Sequence, residues 1–418
     1  MESRKKIFNS AALHATVKQT GDNFQSEGIH IHEPKIGEEI FVSVGARAKD
    51  EAAKQPFKAG SDIAFEQIKK CSEHRIPYTS THAALERKAN RYRQAKRPAN
   101  PSSFSFELEL HHLPEKFVKF DINTSAYRHI VLATDIQMDL LKNAKTWFAD
   151  GTFYLINKPF IQLYTIHVFV RSGECMKQVP VLFVLMTKRA TEDYEAILRI
   201  LKELLGENMK AKKIVMDFEA ATWKELKKVF PEIRLSGCAF HYRQAIYRKV
   251  QDLGLAVAYR KDIATPIFIR KLMALCMLPE VHIRSQFTEI LNDANSDQLR
   301  VLAEYVQKTW LENQTWKIKN ISVFGAPIRT NNDAEGWHFR INKKGRRNMP
   351  FYWLVELLHQ EAGDVNSTVE PVSQKILKRR QSVKYRSIQS RIISTWNDYE
   401  DGKILPSERL NRLAKSYR

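Results

Sequence analysis

Three acidic residues occupy positions in the sequence where phosphodiester chemistry could take place: Asp150, Asp217 and Glu335. Asp150 lies in a predicted strand, Asp217 ends a second, short strand, and Glu335 lies in a helix much farther along the chain. Mg²⁺ and Mn²⁺ prefer carboxylate oxygens, and two such cations can activate a nucleophile and stabilise the leaving oxygen when a phosphodiester is cut. Three acids at close quarters would repel one another strongly without cations.

Each of these acids also has an ordinary interpretation. An Asp directly before a Gly, as in Asp150-Gly151, is typical of a turn. Binding sites gather at strand ends of open sheets, which favours Asp217, although a single strand-end Asp is often structural. Glu335 taken alone is an ordinary helix residue. Composition and periodicity do not select these three among the 47 Asp and Glu residues, so further information is needed.

The elements that must position these acids begin at residue 146. Runs rich in Phe, Tyr, Ile and Val predict three strands with short connections, which form an antiparallel meander. The period then becomes helical, from an N-cap at Thr191 to a stop at Gly206. The predicted strands are residues 146–154, 160–170, 179–187, 214–216 and 233–235, with helices after the last three and the final helix starting at His241.

The resulting order, β-β-β-α-β-α-β-α, predicts an α/β protein with one mixed sheet and helices on its faces. This is the topology of a ribonuclease-H-like fold. In that fold the first strand and the strand after the first crossover are neighbours. Asp150 and Asp217 can therefore converge, and a later helix can bring Glu335 to the same point.

The remaining sequence divides into regions around this core. A small helical region precedes it, an all-helical insertion interrupts it, and a polar, basic tail follows it. Two helices predicted at residues 62–71 and 79–92 could form a helix-turn-helix that enters a major groove, or simply present a solvated charged face. The predicted ranges are 1–34 for an N-terminal segment, 35–110 for the helical region, 111–255 and 326–365 for the core, 256–325 for the insertion and 366–418 for the tail.

The composition favours a polyanionic partner. Lys and Arg total 67, Asp and Glu total 47, and the formal net charge is +20. A basic surface neutralises phosphates with release of counterions, although a merely soluble basic protein would show the same excess. The four cysteines are too widely spaced for a disulfide framework, which indicates a reducing compartment. No apolar run is long enough to span a bilayer, so a soluble intracellular protein with no membrane partner is expected.

Two basic groups are candidates for contact with DNA. The first ends the second predicted helix of the helical region, and the second directly follows the Glu335 helix, where a substrate backbone would run. Solvated surface charge is the alternative for both, and a nuclear-import signal is a further interpretation of the second group and of the run at residues 378–380. The candidates are Arg87, Lys88, Arg91 and Arg93 in the first group and Lys343, Lys344, Arg346 and Arg347 in the second.

Several segments, in order and with similar gaps, resemble the MULE transposase domain of Mutator-like elements. The resemblance spans roughly residues 85–365 and is specific because several motifs agree together. The segments are WFADGTF from residue 147, FIQLYTIH from residue 160, PVLFVLMTK from residue 180, DFE from residue 217, GCAFHYRQA from residue 237 and RTNNDAEGWH from residue 329.

The resemblance implies a ribonuclease-H-like DDE core with a helical insertion before the third acid. Asp150 and Asp217 match the two catalytic Asp residues of the family, and Glu335 matches its Glu. Mg²⁺ or Mn²⁺ is then the expected cofactor, DNA ends and target DNA are the expected partners, and the nucleus is the expected location. A homodimer or higher multimer is expected by analogy, because transposases join two DNA ends.

The resemblance also covers two further features of the core. Cys238 and His241 match the Cys-x-x-His motif of the family. One Cys and one His cannot fill a tetrahedral zinc site, so a structural or DNA-positioning role is expected and zinc is not. His338 follows Glu335 by three positions on one helix face and could orient that acid, meet a phosphate or simply pack at the surface.

The N-terminus departs from the family pattern. The run His30-Ile31-His32, followed by Pro34, resembles the end of a FLYWCH-type zinc finger. No cysteine occurs in residues 1–29, so the finger is expected to be truncated or degenerate and not to bind zinc.

Two hypotheses of different class follow. The chain is a DDE transposase, or it is a host-recruited or inactive derivative that binds DNA or chromatin, as the absent finger cysteines suggest. A different ribonuclease-H-like nuclease, such as a resolvase or an RNase, fits the sheet but not the insertion or the segment around Glu335.

Overall fold

The computed structural model describes residues 16–20, 23–27, 38–73, 81–173, 175–374 and 383–416. The chain divides into two compact units, residues 1–97 and 98–418. The finger-like ending at His30-Ile31-His32 and the basic run at residues 378–380 lie outside the described residues. Within the described ranges, no helix combines the length and apolar character needed to cross a membrane.

The first unit contains a β-hairpin and three mutually packed helices. Its strands are β1 (Thr16–Thr20) and β2 (Asn23–Glu27), which pair antiparallel, and its helices are α1 (Glu38–Lys54), α2 (Gly60–Glu73) and α3 (His82–Lys96). Small apolar side chains at helical spacing, such as Ala48, Ala64 and Ala89, are fully buried between the helices. The link between α2 and α3 includes residues 74–80, which lie outside the described residues, so the helix-turn-helix stays a prediction.

The second unit is built on a mixed seven-stranded sheet with the order β3-β4-β7-β6-β5-β8-β9. The strands β5, β6 and β7 form the predicted antiparallel meander, and β8 and β9 continue the sheet parallel to β5. The predicted order of elements is therefore found, with shifted ends. The strands are β3 (Val118–Asn123), β4 (Arg128–Leu132), β5 (Thr146–Thr152), β6 (Gln162–Ser172), β7 (Cys175–Met186), β8 (Lys213–Met216) and β9 (Arg234–Gly237).

Thirteen helices accompany this sheet in the described part of the second unit. They are α4 (Asp135–Asn143), α5 (Thr191–Leu205), α6 (Ala220–Val229), α7 (Ala239–Asp252), α8 (Ala256–Lys261), α9 (Ala264–Ala274), α10 (Glu280–Asn292), α11 (Asp297–Val306), α12 (Ile318–Ile321), α13 (Asn332–Lys344), α14 (Phe351–Ser373), α15 (Val383–Glu400) and α16 (Pro406–Lys415). The stretch predicted as a helical insertion contains α8 to α12.

The strands β3 and β4 were not predicted, because β4 contains two polar residues, Arg128 and His129, that are buried against partners on other elements. Arg128 is buried and its Nε donates to Asp121 Oδ1 at 2.8 Å. His129 is fully buried, with Nε2 3.0 Å from Asp193 Oδ1. Asp193 Oδ2 also accepts the Ala190 N–H at 2.7 Å. Ala190, rather than Thr191, is therefore the N-cap residue of α5.

The predicted C-terminal tail is instead folded. Helix α14 continues well beyond the apolar stretch predicted for it, and α15 and α16 pack against the helices of the insertion. The buried residues Ile392 and Trp396 of α15 and Leu413 of α16 belong to the main hydrophobic core. The Trp396 indole N–H also donates to the Met277 carbonyl at 3.1 Å. Apolar residues at helical spacing, hidden among many charges, explain why this region was interpreted as a tail.

Candidate active site

The pairing of β5 with β8 brings the first two acids to the same level of the sheet. Phe148 lies opposite Val215 in the parallel register, and Asp150 and Asp217 each follow two residues later. Asp150 is buried, and its Oδ1 accepts the N–H of Gly151 at 2.9 Å. The convergence of these two acids is therefore a consequence of strand register.

Asp217 follows the end of β8 and is half-buried. Burial, together with the negative charges of Asp150 and Glu219, raises the pKa of Asp217 to about 7. The Asp217 carbonyl accepts the Trp223 indole N–H at 2.6 Å, which holds the turn between β8 and α6. Burial and the neighbouring carboxylates therefore outweigh the attraction of the Arg189 charge for the charged form of Asp217.

Glu335 lies in the first turn of α13 and faces the same place. Burial and the charge of Asp150 raise the pKa of Glu335 to about 7. Its Oε1 atom is buried without a hydrogen-bond partner and lies 3.6 Å from His241 Nε2. Asp150 thus acts electrostatically on both of the other acids.

Asn331 joins the start of α13 to the sheet. Its side-chain Nδ2 donates to the Ala149 carbonyl at 2.9 Å, and its backbone N–H donates to Cys238 Sγ at 3.2 Å. The Asn331 carbonyl accepts the N–H of Glu335 at 2.9 Å. Asn331 did not stand out in the sequence, because its partners lie on other elements. Its position directly before a predicted helix was a signal that could have found it.

A histidine and a threonine hold Asp150 in place. His338 is buried, with Nδ1 3.4 Å from Asp150 Oδ2 and Nε2 3.2 Å from Thr165 Oγ1. The Thr165 hydroxyl lies 3.2 Å from the Asp150 carbonyl and 3.0 Å from His167 Nε2. His338 was expected to orient Glu335 or to meet a phosphate; the structure places it against Asp150 instead.

Cys238 and His241 contact different groups. Cys238 is fully buried as the N-cap residue of α7, and burial raises the pKa of its thiol to about 12. His241 is directed at Glu335, and burial lowers the pKa of its imidazole. The motif therefore connects α7 with both the start of α13 and its acid.

The space between Asp150, Asp217 and Glu335 is called the cleft below. Its rim carries an arginine and an aromatic residue that did not stand out in the sequence. Arg189 lies 3.8 Å from Glu219 Oε1, and its guanidinium lies 5.0 Å from the centroid of the Phe153 ring. The Phe153 side chain is 52% exposed, only three residues after Asp150. An exposed aromatic ring beside a guanidinium is a surface on which a nucleic-acid base can stack.

The basic residues of α3 are not equivalent. Arg87 and Arg91 are exposed, and Lys88 is half-buried. Arg93, however, is buried, and its guanidinium donates to the Lys58 carbonyl and, at 2.6 Å, to Asn90 Oδ1. The donors of Arg93 are thus directed at groups of the first unit, which supports a structural role, and its contact with DNA stays a prediction.

The basic residues after Glu335 are not equivalent either, because they contact different groups. Lys344 lies 2.5 Å from Glu361 Oε1 and 3.3 Å from Asp364 Oδ2, so its charge neutralises a buried carboxylate. Lys343 and Arg346 are exposed and lie over the rings of Phe339 and Trp353. Arg347 is also exposed. Lys343, Arg346 and Arg347 remain candidates for phosphate contact, whereas the pairing of Lys344, which is also exposed, with Glu361 and Asp364 supports a structural role.

The ligand atoms of the three acids do not all lie within 4.8 Å of one another. Among the residues that the structure describes, the group that meets this criterion is Glu109, His111 and His112, outside the cleft. The site therefore presents two carboxylates, those of Asp217 and Glu335, around Asp150 rather than a closed single-ion site.

Comparison with known proteins gives one finding. No curated protein matches the chain. Residues 146–245 match the family model of the MULE transposase domain. The matched segment runs from β5 into α7 and contains Asp150, Asp217, Cys238 and His241, whereas Glu335 lies beyond it. The similarity of residues 146–245 to the MULE transposase domain indicates a transposase-related function of nuclease type that involves DNA.

Proposed function

We propose that this chain is a Mutator-like DDE transposase that cuts and joins DNA strands at a centre formed by Asp150, Asp217 and Glu335. The observation that carries this proposal is the parallel register of β5 and β8, which sets Asp150 and Asp217 side by side beneath the helix that presents Glu335. Water first attacks a phosphodiester at an element end and breaks its P–O3′ bond, which leaves a 3′-hydroxyl and a 5′-phosphate. That 3′-hydroxyl then attacks a phosphodiester of the target, forms a new P–O bond and displaces the 3′-hydroxyl of the cut target strand.

The order of strands supports a ribonuclease-H-like core. In the series β7-β6-β5-β8-β9, three antiparallel strands are followed by two parallel ones, and α5 and α6 make the crossovers. Acids at the ends of the central strands and a third acid from a later helix suit this arrangement. The helices α8 to α12 separate the second acid from the third, as expected for an insertion in the DDE core.

The residues of the cleft fit a divalent cation. Three carboxylates with mutually unfavourable charges are concentrated there, and Glu335 Oε1 is buried without a hydrogen-bond partner. Asp150, Asp217 and Glu335 would hold Mg²⁺ or Mn²⁺, both of which prefer oxygen ligands. When bound, such ions supply activation of the attacking oxygen and neutralisation of the leaving one.

The chain's own groups orient the acids and the substrate. His338 and Thr165 hold the Asp150 side of the cleft, and Asn331 sets the start of the Glu335 helix against β5. Exposed Lys343 in the last turn of that helix, and exposed Arg346 and Arg347 just after it, would contact the DNA backbone. Such a DNA substrate implies work in the nucleus, and the joining of two ends implies a multimer.

The proposal is tested by cleavage of DNA that carries candidate element ends, with Mg²⁺ or Mn²⁺. Asp150→Asn, Asp217→Asn and Glu335→Gln should each reduce cleavage by about 10³-fold or more, because removing one member of a catalytic unit removes most of its effect. DNA binding should stay near normal. Asp297→Asn, which changes an exposed acid of α11, is the matched control.

The catalytic assignment would be contradicted if the Asp150, Asp217 and Glu335 variants nicked DNA as fast as the wild type. A wild-type protein that binds DNA but does not cut it under any metal condition would instead favour the alternative, a host-recruited or inactive derivative that acts by binding DNA or chromatin.

A further inference from the structure

A second group of metal-ligating side chains lies in the segment that leads into β3. Glu109, His111 and His112 surround a short 3₁₀ turn at Leu110–His112, and their ligand atoms all lie within 4.8 Å of one another. One carboxylate oxygen, Glu109 Oε2, lies 3.8 Å from His111 Nε2 and 3.7 Å from His112 Nε2. Both imidazoles therefore direct a nitrogen towards the same oxygen.

The backbone and one neighbouring helix hold this group in shape. The His112 N–H donates to the Glu109 carbonyl at 3.0 Å, which closes the turn. The Glu109 N–H donates to the Tyr352 hydroxyl at 3.2 Å, and the Tyr352 ring packs edge-on against His112 with centroids 6.1 Å apart. Tyr352 belongs to the first turn of α14, so the cluster lies where this segment meets that helix.

The donor set differs in kind from that of the catalytic cleft. Two imidazoles and one carboxylate suit Zn²⁺, which binds His nitrogen and carboxylate oxygen in a tetrahedral shell, whereas Mg²⁺ favours oxygen alone. We propose that Glu109, His111 and His112 form a zinc site with three protein ligands and a fourth position open to water. The His111 side chain is 72% exposed, which leaves room for that water.

This site is independent of the proposed DNA chemistry. It also differs from the sequence-based expectation, which considered zinc only at Cys238 and His241 and at the N-terminal finger. A zinc ion here would link Glu109, His111 and His112 to one another beside α14. Because it would bind the folded chain, it would stabilise that state.

The test is a calorimetric titration of the full chain with Zn²⁺ in the presence of millimolar Mg²⁺, so that the acids of the cleft are already occupied. Wild type should bind Zn²⁺ at this site with micromolar affinity, and zinc should raise its melting temperature. His111→Ala should weaken this binding at least tenfold, because it removes one of three ligands. Glu109→Gln should weaken it similarly while it preserves the shape of the side chain.

The matched control is His82→Ala. His82 is also an exposed histidine beside a glutamate, with Nδ1 3.9 Å from Glu86 Oε2, but it belongs to no three-ligand group among the described residues. Its variant should bind zinc as wild type does. The proposal is overturned if wild type takes up no zinc, if the His111 and Glu109 variants bind as tightly as wild type, or if the His82 variant loses as much affinity as they do.

Discussion

At the scale of single residues, the candidate site depends on polar groups that hold the acids rather than on the acids alone. Asn331 is fully buried and bonds to the strand residue that directly precedes Asp150. Through its own carbonyl it also bonds to the backbone of Glu335. One side chain thereby sets the distance between two carboxylates that belong to elements far apart in sequence.

Asn331→Ala should therefore reduce both stability and cleavage. The substitution leaves the buried Ala149 carbonyl without its donor, which costs about 1–3 kcal/mol in the free energy of unfolding. Cleavage should fall more than DNA binding, because Glu335 loses its position. Urea unfolding and cleavage assays measure the two effects, with Asn366→Ala on the exposed face of α14 as the control. Equal effects of the two variants would contradict the positioning role.

His167 leads to a prediction about pH. It is buried in β6 beside Thr165, His338 and Trp337, and burial lowers the pKa of its imidazole well below the usual value. Below about pH 6.5 the unfolded chain takes up a proton at this residue, whereas the folded chain does not. Stability therefore falls on acidification, by up to about 1.4 kcal/mol per pH unit for this one proton.

His167→Gln should remove that part of the pH dependence. The measurement is the change in unfolding free energy between pH 7 and pH 5.5, compared between variant and wild type. The other titratable groups are the same in both proteins, so their contribution cancels in the comparison. An unchanged pH dependence in the variant would show that His167 does not titrate between the folded and unfolded states.

At the scale of elements, helices at the C-terminus complete the core around the insertion. Trp396 of α15 is 5% exposed, bonds to the Met277 carbonyl and packs edge-on against Phe324. Helix α16 packs beside it against α9 and α10. The region is therefore a structural part of the second unit, and its removal would expose apolar surface of the insertion.

Trp396→Ala should destabilise the protein by about 3–5 kcal/mol, as expected for a large aromatic side chain removed from a core. Ile393→Ala, on the same helix but 40% exposed, should cost much less. Thermal and denaturant unfolding distinguish the two. A small effect of the Trp396 change would mean that α15 contributes little to the fold.

At the scale of the whole molecule, a net charge of +20 makes binding to a polyanion sensitive to salt. Not every Lys or Arg side chain contributes to that binding. Arg93 donates to polar groups of the first unit and Lys344 pairs with the buried Glu361, whereas Arg346 and Arg347 are exposed just after the Glu335 helix. The charge that matters for DNA is thus a subset of the charge that the composition counts.

Replacing Arg346 and Arg347 together by Gln should weaken DNA binding and lower the slope of log affinity against log salt concentration by about 2, since each lost phosphate contact removes about 0.9. Salt titrations of DNA affinity by fluorescence anisotropy measure this slope. Lys344→Gln should instead lower stability, because the buried Glu361 carboxylate loses a partner. If the double variant keeps the wild-type slope, these arginines do not contact phosphates.

The sequence by itself determined the order of strands and helices around the sheet, because the period of apolar residues is a local property that reflects which face of each element is buried. It also pointed to Asp150 and Asp217 as neighbours, since the order of elements implies that their strands are adjacent. The choice of all three acids among the 47 acidic residues depended on resemblance to a family, because an acid in a strand or a helix has no distinctive local pattern.

Only the tertiary structure decided how these residues are held. Asn331 meets Ala149 across 182 positions of sequence, and His338 meets Thr165 across 173. The burial of His129 in its strand and the packing of the C-terminal helices likewise depend on distant partners. Contacts of this kind arise from strand register and packing, for which local periodicity carries no signal.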